Sequence, residues 1–329
     1  MTLRLVNTKP NGKNMFAFFR LIRILNLFIL GLSLYLFYYF IVVPVHHNIL
    51  FNELVPLIKR DFALFVLSVL LIAAGGNIIN DYFDLEVDKF NRPDRPLPSA
   101  QISLNTAMTL HAVFALTGIA IGFYLGWQIG YYQIGFLFLI SSVLLYVYSA
   151  FLKRVPLAGN LLVAALTAFP FVVLLVFEAV FLSLVQFENK RFAFDAIVWQ
   201  VYFYAGFAFF TNLVREMVKD LEDREGDAEN RINTFAVQFG EKPAKYLTTF
   251  VIVVLLGLLS FFFSRFIVAQ HWKEVIYLNV LVMLPLVAVL VLVLLAKTKE
   301  HYARLSLALK LIMLFGILSM PAFHWFNQQ

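Results

Sequence analysis

No cysteine occurs among the 329 residues, which removes disulfides, thiolate metal ligands and cysteine nucleophiles from consideration. Charge is scarce too. Asp, Glu, Lys and Arg make up 14% of the chain, against roughly 25% in soluble domains. In contrast, 61% of the residues are hydrophobic and mean hydropathy is +0.82. A chain so poor in charge reads as an integral membrane protein. The histidines, at positions 46, 47, 111, 271, 301 and 324, show no HExxH-type spacing. They read as interfacial or packing residues rather than metal ligands.

Apolar runs are what the sequence has in abundance. Nine stretches, at 17–44, 61–80, 105–126, 130–151, 157–184, 194–214, 246–268, 275–296 and 304–324, are each long enough to cross a bilayer, which takes about 20 residues. They predict an all-α polytopic membrane protein, a bundle of nine transmembrane helices forming one domain over residues 1–329, with residues 1–15 as an N-terminal tail. The first stretch begins with basic residues as a signal peptide would. It is too long for one and has no clear small-residue cleavage site, so it reads as a retained helix.

The net charge of +6 does not point to nucleic acid, because the base is sorted by side of the membrane. Nineteen of the 26 Lys and Arg residues lie in the N-terminal tail or after spans 2, 4, 6 and 8. Six lie on the opposite face, and Lys310 falls inside span 9. The positive-inside rule makes the richer side cytoplasmic. The expected location is the cell inner membrane, with these loops in the cytoplasm.

Acid is sorted still more sharply. Twelve of the 20 carboxylates sit in two stretches, "NIINDYFDLEVDKFNRPDRP" after span 2 and "REMVKDLEDREGDAE" after span 6. If each span continues as a helix, Asn77, Asp81, Asp84 and Asp88 fall at i, i+4, i+7 and i+11, and Glu216, Asp220, Asp223 and Asp227 repeat those steps, so each set forms one polar stripe. Acidic residues at helix ends are often merely solvated, but stacked like charges repel by a few tenths of a kcal/mol per pair, and two matched stripes call for a cation. Oxygen donors without Cys or clustered His favour a hard ion. Mg2+ is the usual choice when phosphates complete its shell, whereas the EF-hand pattern for Ca2+ is absent.

A diphosphate is the natural ligand between two such stripes. Arg92, Arg95, Arg215 and Lys219 lie beside them, and "YSAFLKR" adds Lys153 and Arg154 on the same side; each could contact phosphate oxygens or serve topology alone. With an apolar bundle behind it, such a grip suits a polyprenyl diphosphate. Metal and basic residues would stabilise the departing diphosphate, and the allylic cation left behind needs a dry, electron-rich pocket. Among 37 Phe, 14 Tyr and 4 Trp, Tyr146 and Tyr148 are the first candidates for that wall.

These residues resemble the UbiA superfamily of intramembrane prenyltransferases. Its NDxxDxxxD signature is matched by Asn80, Asp81, Asp84 and Asp88, with Asn77 one turn earlier. Its DxxxD signature is matched by Asp223 and Asp227, followed by "NTFAVQFG"; "YSAFLKR" and Asn160 in "GNLLVAALTA" also resemble superfamily positions. The likeness runs from about Arg20 to the last span. It implies nine helices around a lipid-accessible cavity, Mg2+ between the motifs and prenyl transfer to an acceptor. The implied metal set is Asn77, Asp81, Asp84, Asp88, Asp220, Asp223 and Asp227. Diphosphate would be held by Asn77, Asn80, Arg92, Arg95, Lys153, Asn160, Arg215 and Lys219. Asp81, Asp84, Asp223, Asp227, Lys153 and Tyr148 would act in catalysis.

The motif "NDYFDLEVDKFNRPDRPLPSAQIS" together with "REMVKDLEDREGD" resembles most the digeranylgeranylglyceryl phosphate synthase branch, which implies a lipid glycerol phosphate acceptor. The alternative acceptor is an aromatic quinone precursor or a haem or chlorophyll-type precursor. An ion-coupled transporter is the reading of a different class, but it leaves the matched stripes unexplained and would place its charges near the bilayer midplane. A phosphatidyl-type transferase would show Asp-Gly followed by Ala-Arg, which neither acidic stretch contains.

Overall fold

The protein is described by a computed structural model covering residues 12–50, 57, 59–85, 102–186 and 189–328. Among the described residues there is no strand. Nine helices among these residues are long and apolar enough to span a membrane: α1 Ile24–Asn48, α2 Lys59–Phe83, α3 Leu104–Gln128, α4 Tyr132–Ala150, α5 Ala158–Leu184, α6 Lys190–Glu229, α7 Glu241–Val268, α8 Trp272–Leu295 and α9 Lys299–Phe326. In a bilayer no water is available to satisfy bare backbone groups, so the apolar runs can cross only with their hydrogen bonds closed inside helices.

The first span begins later than position 17. Arg23 has φ 55°, a left-handed conformation that costs a side-chain-bearing residue and ends a helix. It separates α1 from a short helix at Gly12–Leu21. Within α1, residues Tyr38–Val42 widen into a π turn. Pro44 follows, and its ring would clash with the carbonyl four residues back while lacking an N–H to donate, so the turn loosens ahead of it. Pro285 in α8 has the same effect on Asn279–Met283.

The helices close into a ring. Helix α2 packs on α1, α3 and α4; α4 meets α5; α5 packs along α6; and α6 contacts α7 and α9, while α9 returns against α1. Helices α2 and α6 are the most buried spans, and each carries one acidic stretch at its end. The α2–α3 contact is close because a Cβ on Gly118 would lie 2.7 Å from Ile72 Cγ1 and 2.9 Å from the Ser68 carbonyl. That space is used by Ser68 Oγ, which donates to the Gly118 carbonyl at 2.6 Å.

Helix α6 decides where the site lies. Its 40 residues rise about 60 Å at 1.5 Å each, twice the ~30 Å hydrocarbon core. The excess carries Glu216 to Asp227 beyond the apolar part without a break in the helix.

Candidate active site

At the end of the bundle shared by the C-termini of α2, α4 and α6 and the N-terminus of α5 lies a polar cavity of about 80 Å³. Helix α6 lines it with Glu216, Asp220, Asp223 and Asp227, so the second predicted stripe faces one space along an unbroken helix. Helix α2 contributes Asn80, and Asp84 follows in the turn just beyond Phe83. The carboxylates of Asp84 and Asp227, though 6% and 8% exposed as residues, are buried charges and require partners.

Asp84 has two, and its neighbours in the cavity are paired as well. Asn80 Nδ2 donates to Asp84 Oδ2 at 2.8 Å, and Lys153 Nζ forms an ion pair with the same oxygen. Asn160 Nδ2 donates to Asp220 Oδ2 at 2.9 Å. Arg215 pairs with Glu216 at 2.6 Å, and Lys299 Nζ stands 3.9 Å from Asp223 Oδ1. Lys153 reaches the cavity from a short 3-10 turn, Leu152–Arg154, pressed against the start of α5. A Cβ on Gly159 would lie 2.9 Å from the Leu152 carbonyl and 3.0 Å from Lys153 Cα. Only glycine admits that approach.

The other sequence-predicted residues fall in three groups. Tyr148, Lys219 and Asn160 line the polar cavity. Asn77 and Arg215 instead line a larger, mainly apolar chamber of about 280 Å³ inside the bundle, which Lys219 also borders. The Asn77 amide donates to the Ile22 carbonyl at 2.9 Å. Asp81 is engaged by Arg23 at 2.7 Å. Tyr146 is 39% exposed and packs on Phe83 and His111, away from both cavities. Asp88, Arg92 and Arg95 lie outside the described residues.

The α2 stripe is therefore rotated from the one drawn on the sequence. Asn80, one turn before Asp84, shares the polar cavity with it, while Asn77 turns toward the chamber. Side chains three residues apart on a helix differ by about 60° in azimuth, enough to send them to neighbouring compartments.

The sequence reading leaves Arg23, Thr234 and Lys310 out of the site. Arg23 and Thr234 line the polar cavity. Thr234 is the N-cap of the short helix Phe235–Phe239, accepting from Val237 N at 3.4 Å. Lys310 lines the chamber, and a lysine within an apolar span was the signal that could have found it. Burial works against the charge on Arg23, but the Asp81 and Asp84 carboxylates outweigh it and raise its pKa above the ordinary guanidinium value.

The donor chemistry fits a hard divalent cation. All the buried ligand atoms around the cavity are oxygen or nitrogen, and Asn80 Oδ1 is buried with no hydrogen-bond partner. Among the described residues, no three His, Asp or Glu side chains converge closely enough to enclose a metal by themselves. Mg2+ suits such a spread set, since it is commonly bound by one or two carboxylates and completed by water and substrate phosphate.

The two cavities meet. Arg23, Glu216 and Lys219 border both, so a compartment for a charged group opens onto one for hydrocarbon. Nine membrane-crossing helices that carry, toward one end, a charged compartment opening onto an apolar one define an intramembrane site whose shape suits an amphiphile with an anionic head. A sequence model of the UbiA prenyltransferase family matches residues 41–315. The chain belongs to that family and is a prenyltransferase.

It is 39% identical over 200 residues to the digeranylgeranylglyceryl phosphate synthase of Sulfolobus acidocaldarius, a match spanning 61% of this chain and 64% of that relative. It is 33% identical over 281 residues to the enzyme of that name from Sulfurisphaera tokodaii, spanning 84% of this chain and 87% of the relative. A solved structure of a UbiA homologue from Archaeoglobus fulgidus, bound to DMAPP and Mg2+, superposes with a TM-score of 0.56 over 92% of this chain and 99% of that one at 16% identity, which shows a shared fold.

Proposed function

We propose that the protein transfers a prenyl group from a polyprenyl diphosphate to a lipid glycerol phosphate and releases diphosphate, in a reaction that requires Mg2+. The observation that carries this reading is the junction of the two cavities at Arg23, Glu216 and Lys219. A diphosphate seated among Asp84, Asp220, Asp223 and Asp227 leaves its hydrocarbon in the chamber behind.

Mg2+, when bound, neutralises charge gathering on the leaving diphosphate. In this reading Asp84, Asp220, Asp223 and Asp227 hold it, with Asn80 Oδ1 as a further oxygen. Lys153 moves from Asp84 to a phosphate oxygen when substrate and metal arrive, exchanging one ionic partner for another at little net cost. Asn160 orients Asp220, and the Tyr148 ring borders the point where the allylic cation forms. The apolar chamber excludes the water that would trap the cation as an alcohol.

A phosphate-bearing acceptor is supported by the chamber's own charges. Arg23, Arg215, Lys219 and Lys310 line it against a single carboxylate, Glu216. A doubly charged phosphate gains more from that cationic lining than the single carboxylate of a hydroxybenzoate does, even with Arg23 engaged by Asp81 and Arg215 by Glu216. Relatives at 33–39% identity with a synthase name of that class point the same way.

The test is mass spectrometry of products after incubating purified protein with a twenty-carbon prenyl diphosphate, Mg2+ and either a prenylated glycerol phosphate or hydroxybenzoate. The expected product is the diether phosphate. Prenylated hydroxybenzoate in its place would overturn the acceptor assignment.

A further inference from the structure

A third cavity, of about 580 Å³, lies at the opposite end of the bundle between α1, α6, α7 and α9. It is lined by Phe40, Trp199, Phe203, Phe262 and Arg265 among others. Among the described residues, two border both this cavity and the central chamber, Tyr204 and Met320. Along α6 the three spaces stand in series, the polar cavity from Asp227 to Glu216, the chamber from Lys219 to Tyr204 and the far cavity from Tyr204 to Ala196.

The partition is built to hold. Tyr204 and Met320 are 4% and 1% exposed. The Tyr204 hydroxyl is 3.0 Å from Ser319 Oγ on α9, which fixes one side of the wall to the other. The Tyr204 ring meets Phe37 edge-on at 5.9 Å and Phe203 at 4.9 Å, so the ring has few alternative rotamers. Ser319 in turn donates to the Gly316 carbonyl at 2.7 Å.

The height of the chamber is commensurate with one tail length. From Glu216 to Tyr204 is twelve helical residues, about 18 Å at 1.5 Å each. The sixteen-carbon main chain of a four-isoprene tail, with single bonds of about 1.5 Å in zigzag, spans about 19 Å. A fifth isoprene unit would have to cross the wall.

We propose that Tyr204 and Met320 form the floor that limits the hydrocarbon length of the prenyl donor, and that the 580 Å³ cavity beyond them is space the wild-type protein denies to the tail. This inference rests on the prenyl-transfer reading above. Removing the floor joins the two spaces, and the variant then accepts donors one or two isoprene units longer.

The experiment measures kcat/KM for donors of 20, 25 and 30 carbons with wild type, Met320→Ala, Met320→Val and Tyr204→Phe. Opening the wall is expected to raise the 25-to-20 and 30-to-20 carbon ratios at least about tenfold in Met320→Ala, with a smaller rise in Met320→Val; tenfold corresponds to about 1.4 kcal/mol of discrimination. Tyr204→Phe keeps the ring while losing the hydroxyl, and its ratios are expected to match wild type. If either Met320 variant folds and turns over the 20-carbon donor without a rise in these ratios, the floor assignment is overturned while the function stands. A wild-type protein inactive on every donor would overturn the prenyl-transfer proposal itself.

Discussion

At the residue scale the site is a set of ion pairs formed across and along helices, Arg23–Asp81, Lys153–Asp84 and Arg215–Glu216 among them. Lys153 is 30% exposed at its side chain, against 9% for Asp84, so their pairing is partly screened and contributes modestly to stability. Its value lies in placing an ammonium beside the carboxylates before substrate arrives. Lys153→Ala is expected to raise the apparent KM for the prenyl diphosphate about tenfold, a loss near 1.4 kcal/mol, with a smaller change in kcat. Steady-state kinetics would show this, and an unchanged KM would remove Lys153 from the site. Asp84→Ala, Asp223→Ala and Asp227→Ala each remove an anionic oxygen from the cavity. Each is expected to lower kcat/KM at least a hundredfold, about 2.7 kcal/mol, while the purified protein keeps its helical signal. Near wild-type rates in any two of them would contradict the proposed metal grip.

At the element scale, each helix is set by its own residues, but its azimuth is set by its neighbours. That Glu216, Asp220, Asp223 and Asp227 share one face was legible, because α6 continues through them and spacing alone then places them. The α2 face was legible only in part. The spacing could not reveal that Arg23, at the start of the neighbouring helix α1, pairs with Asp81, or that Asn80 rather than Asn77 joins Asp84. A second inter-helix tie lies at the other end of the bundle, where His46 Nε2 and Glu178 Oε1 are 2.5 Å apart and both side chains are 1% exposed. It fastens α1 to α5. His46 Nδ1 and Glu178 Oε2 have no other partner, so His46→Ala strands a buried carboxylate. The expected cost is about 3–5 kcal/mol, read as a lower Tm in detergent, with Glu178→Gln costing less. A His46→Ala protein melting like wild type would show that the contact is not structural.

At the scale of the whole molecule, closure of α9 against α1 walls the apolar chamber and the far cavity, while the polar cavity is built by α2, α4, α5 and α6. Chelation with EDTA is expected to stop diphosphate release, and excess Mg2+ to restore it, because carboxylates spread around an 80 Å³ cavity repel a diphosphate unless a cation bridges them. Release that survives chelation would sink the Mg2+ requirement. Orientation can be tested without background, since the chain has no native cysteine. A membrane-impermeant maleimide is expected to label Ala269→Cys on intact cells and Lys297→Cys only after permeabilisation, as the distribution of Lys and Arg implies. The reverse pattern would invert the proposed topology.

What the sequence determined by itself was the number of spans, the ends of the spans that collect charge, the oxygen-only donor set of the acidic stretches and the family, because each is carried by composition or by spacing along a single helix. Pairing across helices was decided only in the folded bundle: Arg23 with Asp81, Lys153 with Asp84, Asn160 with Asp220, and the Tyr204–Met320 wall. Each joins residues separated by 58 to 116 positions, and in apolar helices surrounded by lipid the sequence pattern does not say which side of a span faces protein. Packing against the neighbouring helices settles that, and with it where the polar cavity ends and where the apolar chamber is walled off.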